Sequence, residues 1–276
     1  VEAVPTTLFL NAAQTITCAG PGRARRGAEM AEAGVVTGAG VAVQGERIVA
    51  VAADDALRRT YPDAAEVDCD RRLLAPGFVD SHTHAVFGGA RFAEQELRAS
   101  GVPYMEIARR GGGIHSSVRD LRARNDDELL DLTVARLGRL AAGGVTTIEV
   151  KSGYGLSVHD ELRTLRIIRR LAGEGPWRLV ATCLGAHEIP LEYRDRPGGR
   201  EAWINTLCTE LYPQVAAEQL AAFADVFCEP GVFTVDEARR LLTAARGHGL
   251  LPKLHADELH DGGAALLAAC LLYTSP

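Results

Sequence analysis

His82 and His84 stand two residues apart in Asp80-Ser81-His82-Thr83-His84, directly after Gly77-Phe78-Val79, a run that reads as β-strand. In extended backbone, alternate side chains leave on the same side, so the two imidazoles face one way. Two such rings hold one divalent metal ion when further donors meet them. The pair alone is a modest signal, because histidines also serve as surface and core residues. His255, in Lys253-Leu254-His255-Ala256-Asp257-Glu258, closes a later predicted strand and is the candidate third ligand. Glu258, just beyond, is placed to shuttle a proton to a metal-bound water. Asp257 reads instead as an N-cap or first-turn carboxylate of the next helix.

Other predicted strand ends are also polar: Lys151-Ser152-Gly153-Tyr154-Gly155, Gly185-Ala186-His187-Glu188 and Glu229. Functional side chains at successive strand ends argue for one shared mouth. Arg91 follows Gly88-Gly89 and is a candidate anchor for a substrate carboxylate, which a guanidinium binds with two parallel hydrogen bonds. That run and Gly111-Gly112-Gly113 fit no phosphate-binding fingerprint. His115, His159, His248 and His260 read as surface or helix residues. All but two of the 30 basic residues are arginine. The exceptions, Lys151 and Lys253, point to places where a compact ammonium fits and a planar guanidinium does not.

These residues must be held by strands alternating with helices. Leu73–Asp80, Val145–Val150, Leu179–Leu184, Ala224–Cys228 and Leu251–His255 are the predicted strands. Asn125 with Glu128, and Thr234 with Glu237, have the spacing of capping boxes. The helices they open show apolar faces at Leu130, Val134, Leu137 and Ala141, and at Ala238, Leu241, Leu242 and Ala245. The first strand ends in His-x-His, where an open doubly wound sheet carries a glycine-rich turn. The expected fold is therefore a partial (β/α)8 TIM-type barrel with five of its strands, the chemistry sitting at their carboxyl ends. Residues 1–74 read as a small, helix-free β-sandwich part, 75–269 as the incomplete barrel, and 270–276 as an unrelated tail.

Composition narrows the function classes. Of 276 residues, 47% are hydrophobic and 24% charged, the balance of an ordinary globular protein. The net charge of −6 has no basic stripe, so nucleic acid is not an expected partner. Six scattered cysteines point to reduced thiols and a cytoplasmic location. Val1–Pro5 lacks the features of a signal peptide, and the longest apolar run, Ala264 to Tyr273, is too short to cross a bilayer, so no membrane partner is expected.

Pro76–His84 followed by Val86-Phe87-Gly88-Gly89-Ala90-Arg91 resembles the imidazolonepropionase family of the amidohydrolase superfamily. The likeness continues through Gly111–Ile114, Lys151–Leu156, Leu184–His187, Asp225–Glu229 and His255–Glu258, up to about Leu267. It implies metal-dependent hydrolysis of the cyclic amide 4-imidazolone-5-propanoate to N-formimidoyl-L-glutamate, in histidine catabolism. One zinc or iron ion would be held by His82, His84 and His255, with an aspartate from an eighth strand. Arg91, Tyr154, His187 and Glu258 would contact this small-molecule substrate, Glu258 also acting catalytically; a homodimer is compatible with the resemblance. Lys151 does not match the carbamylated lysine of two-metal relatives, which lies on strand four. The family's strands six to eight have no counterpart here, so the chain alone is expected to be metal-deficient and inactive. Another cyclic-amide hydrolase or deaminase of the superfamily, or a non-catalytic fragment docked on a partner, are the alternative readings.

Overall fold

The computed structural model describes residues 4–23, 25–102, 106, 107 and 112–273; Gly111 of the second glycine run and the last three residues of the tail lie outside the described residues. The chain divides into two compact units, Val1–Gly77 and Phe78–Pro276.

The first unit contains strands β1 (Thr6–Leu10), β2 (Gln14–Ile16), β3 (Val35–Val36), β4 (Gly40–Gln44) and β5 (Arg47–Ala52), helix α1 (Asp54–Thr60), then β6 (Ala65–Asp68) and β7 (Leu73–Leu74). They form a four-stranded sheet, β5-β4-β1-β6, and a three-stranded sheet, β3-β2-β7. The apolar stretch 8–17 is divided between the two sheets because Asn11 adopts a positive φ of 58°. Its backbone N–H donates to Asp54 Oδ2 and its side-chain amide to Asp68 Oδ1, both at 2.8 Å. The unit is not helix-free, as the sequence led us to expect. Leu57 of α1 packs with Leu8, Leu10 and Ala42 to make its small core. Only Leu57 of that helix is buried, so no apolar stripe marked it. Asp54 and Asp55 in its first turn and Arg58 and Arg59 in its last suit the helix dipole instead.

The second unit alternates strand and helix: β8 (Phe78–Thr83), α2 (Phe92–Ala99), α3 (Ile114–Ala123), α4 (Asp126–Ala142), β9 (Val145–Lys151), α5 (Val158–Ala172) and β10 (Arg178–Ala186). Next come α6 (Leu191–Arg194), α7 (Gly199–Thr206), α8 (Tyr212–Ala217), β11 (Phe223–Cys228), α9 (Val235–Gly247), β12 (Leu251–Pro252), β13 (His255–Ala256) and α10 (Ala264–Tyr273). The strands run parallel in the order β8-β9-β10-β11-β12, with β13 continuing along β11. This is the half-barrel of five parallel strands that the alternating pattern implied.

Two predicted strands are interrupted. Leu73–Asp80 breaks at Pro76-Gly77, where proline has no N–H to give a ladder; Leu73 and Leu74 pair with β2, while β8 begins at Phe78. Leu251–His255 becomes two short pairings on β11, Leu251 opposite Phe223 and His255 opposite Phe227.

Both capping boxes form, Asn125 accepting from the N–H of Glu128 and Thr234 from that of Glu237. The buried face of α4 is Leu129, Leu130, Thr133 and Leu137. Val134 is exposed; Thr133 takes the inward place because its hydroxyl is satisfied by Leu129 O at 2.6 Å. On α9 the predicted face is the buried one. Asn125→Ala is expected to cost about 1 kcal/mol, read as a lower urea midpoint at unchanged slope. No helix among the described residues is long and apolar enough to cross a membrane, and all six cysteines are free thiols.

Candidate metal centre

Strand β8 carries His82 to the carboxyl end of the sheet, and His84 follows it. Between them, Thr83 Oγ1 donates to Glu149 O on neighbouring β9 at 2.6 Å. His255 arrives from β13, at the opposite end of the sheet. The three histidines nevertheless converge: each offers a ring nitrogen within 4.8 Å of the other two. His82 Nε2 and His255 Nε2 are 3.1 Å apart, and the ring centres of His82 and His84 are separated by 5.6 Å. His84 Nδ1 is buried without a hydrogen-bond partner, a cost that a ligand at that nitrogen would remove.

His187, at the end of β10, stacks 5.1 Å from His84, and Tyr154 lies 5.3 Å from the same ring. His187 Nδ1 is 2.9 Å from Gly153 O, which leaves Nε2 free of that contact. Burial, reinforced by the neighbouring imidazoles, lowers the pKa of His84 to about 2. Burial likewise lowers His187 to about 4. Both rings are thus neutral at pH 7 and keep the lone pair that metal ligation or proton acceptance requires.

Arg91 shares a cavity of about 450 Å³ with His84, Phe87, Gly89 and Tyr154. Its guanidinium pairs with Glu94 at 3.2 Å, and both oxygens of Glu94 accept from the N–H of Gly113 at 3.1 Å. The segment from His84 to Arg91 is held by Arg136 of α4, which donates to the carbonyls of Ala85 (3.0 Å), Phe87 and Gly88. A Cβ at Gly88 would displace the Asp120 carboxylate, which accepts from Gly89 N–H and pairs with Arg124.

Glu258 lies exposed on the loop between β13 and α10, outside the three-histidine group. That loop is fastened by Asp257, which accepts from the N–H groups of Gly262, Ala264 and Ala265; it satisfies the start of α10 from seven residues away rather than from the N-cap or first-turn position expected of it. Buried Glu229 faces His260 Nδ1 at 2.9 Å and accepts from Leu259 N–H at 3.3 Å. Glu229 therefore braces the loop from the adjacent strand end.

Three carboxylates had no role assigned from the sequence. Glu161 sits on the apolar face of α5 and accepts from the N–H groups of Gly153, Gly155 and Leu156 at 2.8–3.2 Å. Glu149 and Asp225 are buried on β9 and β11. The available signal was a charge where the helical or strand period demands an apolar residue, as at Glu161 beside Leu162 and Leu165.

A family described as imidazolonepropionase-like composite domain, bacteria, matches residues 39–64. The imidazolonepropionase of Symbiobacterium thermophilum is 50% identical over 266 residues, covering 95% of this chain and 61% of its own. That of Solibacter usitatus is 46% identical over 262 residues, covering 95% and 62%. The chain thus spans about three fifths of the length of these curated relatives. Among solved structures, a 5-methylcytosine deaminase from Klebsiella pneumoniae superposes with a TM-score of 0.58 at 17% identity, over 95% of this chain and 55% of the other. An adenosine deaminase from Xanthomonas campestris with bound zinc gives a TM-score of 0.52 at 17% identity, over 95% and 52%. At that identity the two structures speak for the fold alone.

Proposed function

We propose that the chain, 50% identical to the imidazolonepropionase of Symbiobacterium thermophilum over 95% of its length, belongs to that family and carries the metal-binding and substrate-anchoring part of a hydrolase for 4-imidazolone-5-propanoate. The observation that supports this most directly is the meeting of His82, His84 and His255 beside the cavity of Arg91 and Tyr154.

The donor set fits a metal: three converging imidazoles, one with a buried nitrogen lacking a partner, are the ligand type that zinc and iron accept. A bound zinc or iron ion supplies Lewis acidity, polarising a carbonyl oxygen and making water nucleophilic near neutral pH. The remaining work falls to side chains. Arg91 binds the propanoate carboxylate through parallel N–H donors, in place of part of its pairing with Glu94. Tyr154 lines the ring's side of the cavity; neutral His187, stacked on His84, can accept or hold a proton at Nε2. Glu258 relays a proton to the ring nitrogen as the C–N bond opens, giving N-formimidoyl-L-glutamate.

Metal analysis and calorimetry test this reading. Protein loaded with zinc or iron(II) is expected to bind 4-imidazolone-5-propanoate in preference to guanine and dihydroorotate. His255→Ala should lower metal affinity by at least about tenfold. Arg91→Ala should weaken binding of the propanoate by roughly 1.5–3 kcal/mol, the worth of a hydrogen bond to a charged group. Preference for guanine or dihydroorotate, or undiminished metal content in the His255 variant, would overturn it.

A further inference from the structure

The only two lysines of the chain end on one carboxylate. Lys151 Nζ lies 2.7 Å from Glu149 Oε1, and Lys253 Nζ lies 3.0 Å from the same oxygen. Thr182 Oγ1 also donates to it. Lys151 Nζ reaches across to Asp225 Oδ2 at 2.8 Å. Glu149, Lys151, Thr182 and Asp225 are all buried. Two carboxylates and two ammonium groups balance, so the burial is electrostatically compensated.

Both ends of this array touch the histidine cluster. Glu149 accepts from Thr83 twice, through its backbone oxygen from the hydroxyl at 2.6 Å and through Oε2 from the N–H at 3.4 Å; Thr83 is the residue between His82 and His84. At the other end Asp225 Oδ2 is 3.0 Å from His255 Nδ1, with Oδ1 accepting from Val226 N–H at 2.8 Å. β8 and β13 are not hydrogen-bonded neighbours, and β13 pairs over only two residues. Strand pairing alone therefore defines the approach of His255 to the first pair poorly.

We propose that Glu149, Lys151 and Asp225 form a buried strut that sets His255 against His82 and His84 and keeps its Nε2 turned to them, Lys253 serving as the second counter-charge. All are positioning residues, and the proposal rests on the metal-binding reading above. Lys151 bridges two carboxylates from strands flanking β10, a task for a compact ammonium in a closed space. A planar guanidinium is bulkier and directs its donors in a fixed fork. That accounts for lysine at these two positions in a chain otherwise given to arginine. Asp225 accepts from His255 Nδ1–H, which leaves the lone pair on Nε2; carboxylates behind ligating histidines act in this way.

The test uses zinc as the probe, its affinity measured by competition with a chromophoric chelator, on Lys151→Met, Asp225→Asn and Lys151→Arg. Leu241→Ala, which opens a cavity in the core on the apolar face of α9, controls for general loss of stability. Folding is monitored by circular dichroism. The folded strut variants should bind zinc about 10–100-fold more weakly, while L241A binds as the parent does. Nitrogen-15 spectra of the metal-free parent at mildly alkaline pH should show His255 protonated at Nδ1, and D225N should lose that preference. Zinc affinity within about threefold of the parent in every folded strut variant would overturn the proposal, as would an Nε2–H tautomer in the parent. If one variant fails to fold, the others and the parent's tautomer still decide. A parent that binds no zinc removes the metal reading and the strut's purpose together. A parent that binds zinc with the variants unaffected removes the strut alone.

Discussion

Taking the metal-free protein from pH 6.5 to pH 4 is expected to cost at least about 6 kcal/mol of the stability of the unit that carries the site. His84 and His187 have an ordinary value of 6.5 in the unfolded chain and are lowered to about 2 and about 4 by burial in the folded one. Between the two values the unfolded chain takes up a proton that the folded chain refuses. Stability is therefore complete above pH 6.5 and falls as the pH drops towards the folded value, by close to 3 kcal/mol per ring at pH 4. Asp225 works in a separate, lower window. Burial would raise it, but His255 and Lys151 outweigh burial and hold it at about 2, so its contribution is lost only as the pH falls below the ordinary carboxylate value of 3.8. Urea midpoints across the range measure the slope; His115, which burial also lowers to about 4, adds to it, so His187→Gln should remove about a third. A flat profile between pH 6.5 and 4 would mean that these rings are not buried neutral in solution.

Removing the Glu161 carboxylate should have the next largest effect. Glu161→Leu preserves apolar volume but leaves the backbone N–H groups of Gly153, Gly155 and Leu156 without their acceptor in a buried place. At about 1–3 kcal/mol for each orphaned donor, the expected loss is at least about 3 kcal/mol. Burial raises the pKa of this carboxyl in spite of its donors, but charged or neutral it supplies the oxygens they need. The consequence reaches the site. The same loop presents Tyr154, and its Gly153 carbonyl meets His187 Nδ1. Gly153 has a φ of +109°, and a Cβ there would come within 2.8 Å of that nitrogen, so the loop has little freedom to resettle. Glu161→Gln, which keeps one acceptor oxygen, should fall between the parent and the leucine variant in thermal unfolding. A leucine variant as stable as the parent would show that the loop holds itself.

Much of this site was legible because its signals are local. His-x-His in extended backbone states its own geometry, and the capping boxes at Asn125 and Thr234 need only four residues to be recognised. Asp257, expected at the N-cap or in the first turn, stands seven residues ahead of Ala264 instead, and reaches the helix start because the loop folds back on it. Helix α1 was missed because its one buried residue, Leu57, makes no period, and Val134 was misplaced because Thr133 satisfies its own hydroxyl within the helix. The breaks at Asn11 and at Pro76-Gly77 divided apolar runs that hydrophobicity alone joins.

Residue types and short spacings, then, decided on their own that strands would end in imidazoles, glycines and carboxylates, and that helices would intervene. Which of those ends meet was decided by the sheet, because His82 and His255 lie 173 positions apart and no sequence pattern measures a distance through space. The pairing of Lys151 with Asp225, 74 positions away, is of the same kind. A buried charge is tolerated only where folding delivers its opposite, and that partner is chosen by packing rather than by neighbourhood along the chain.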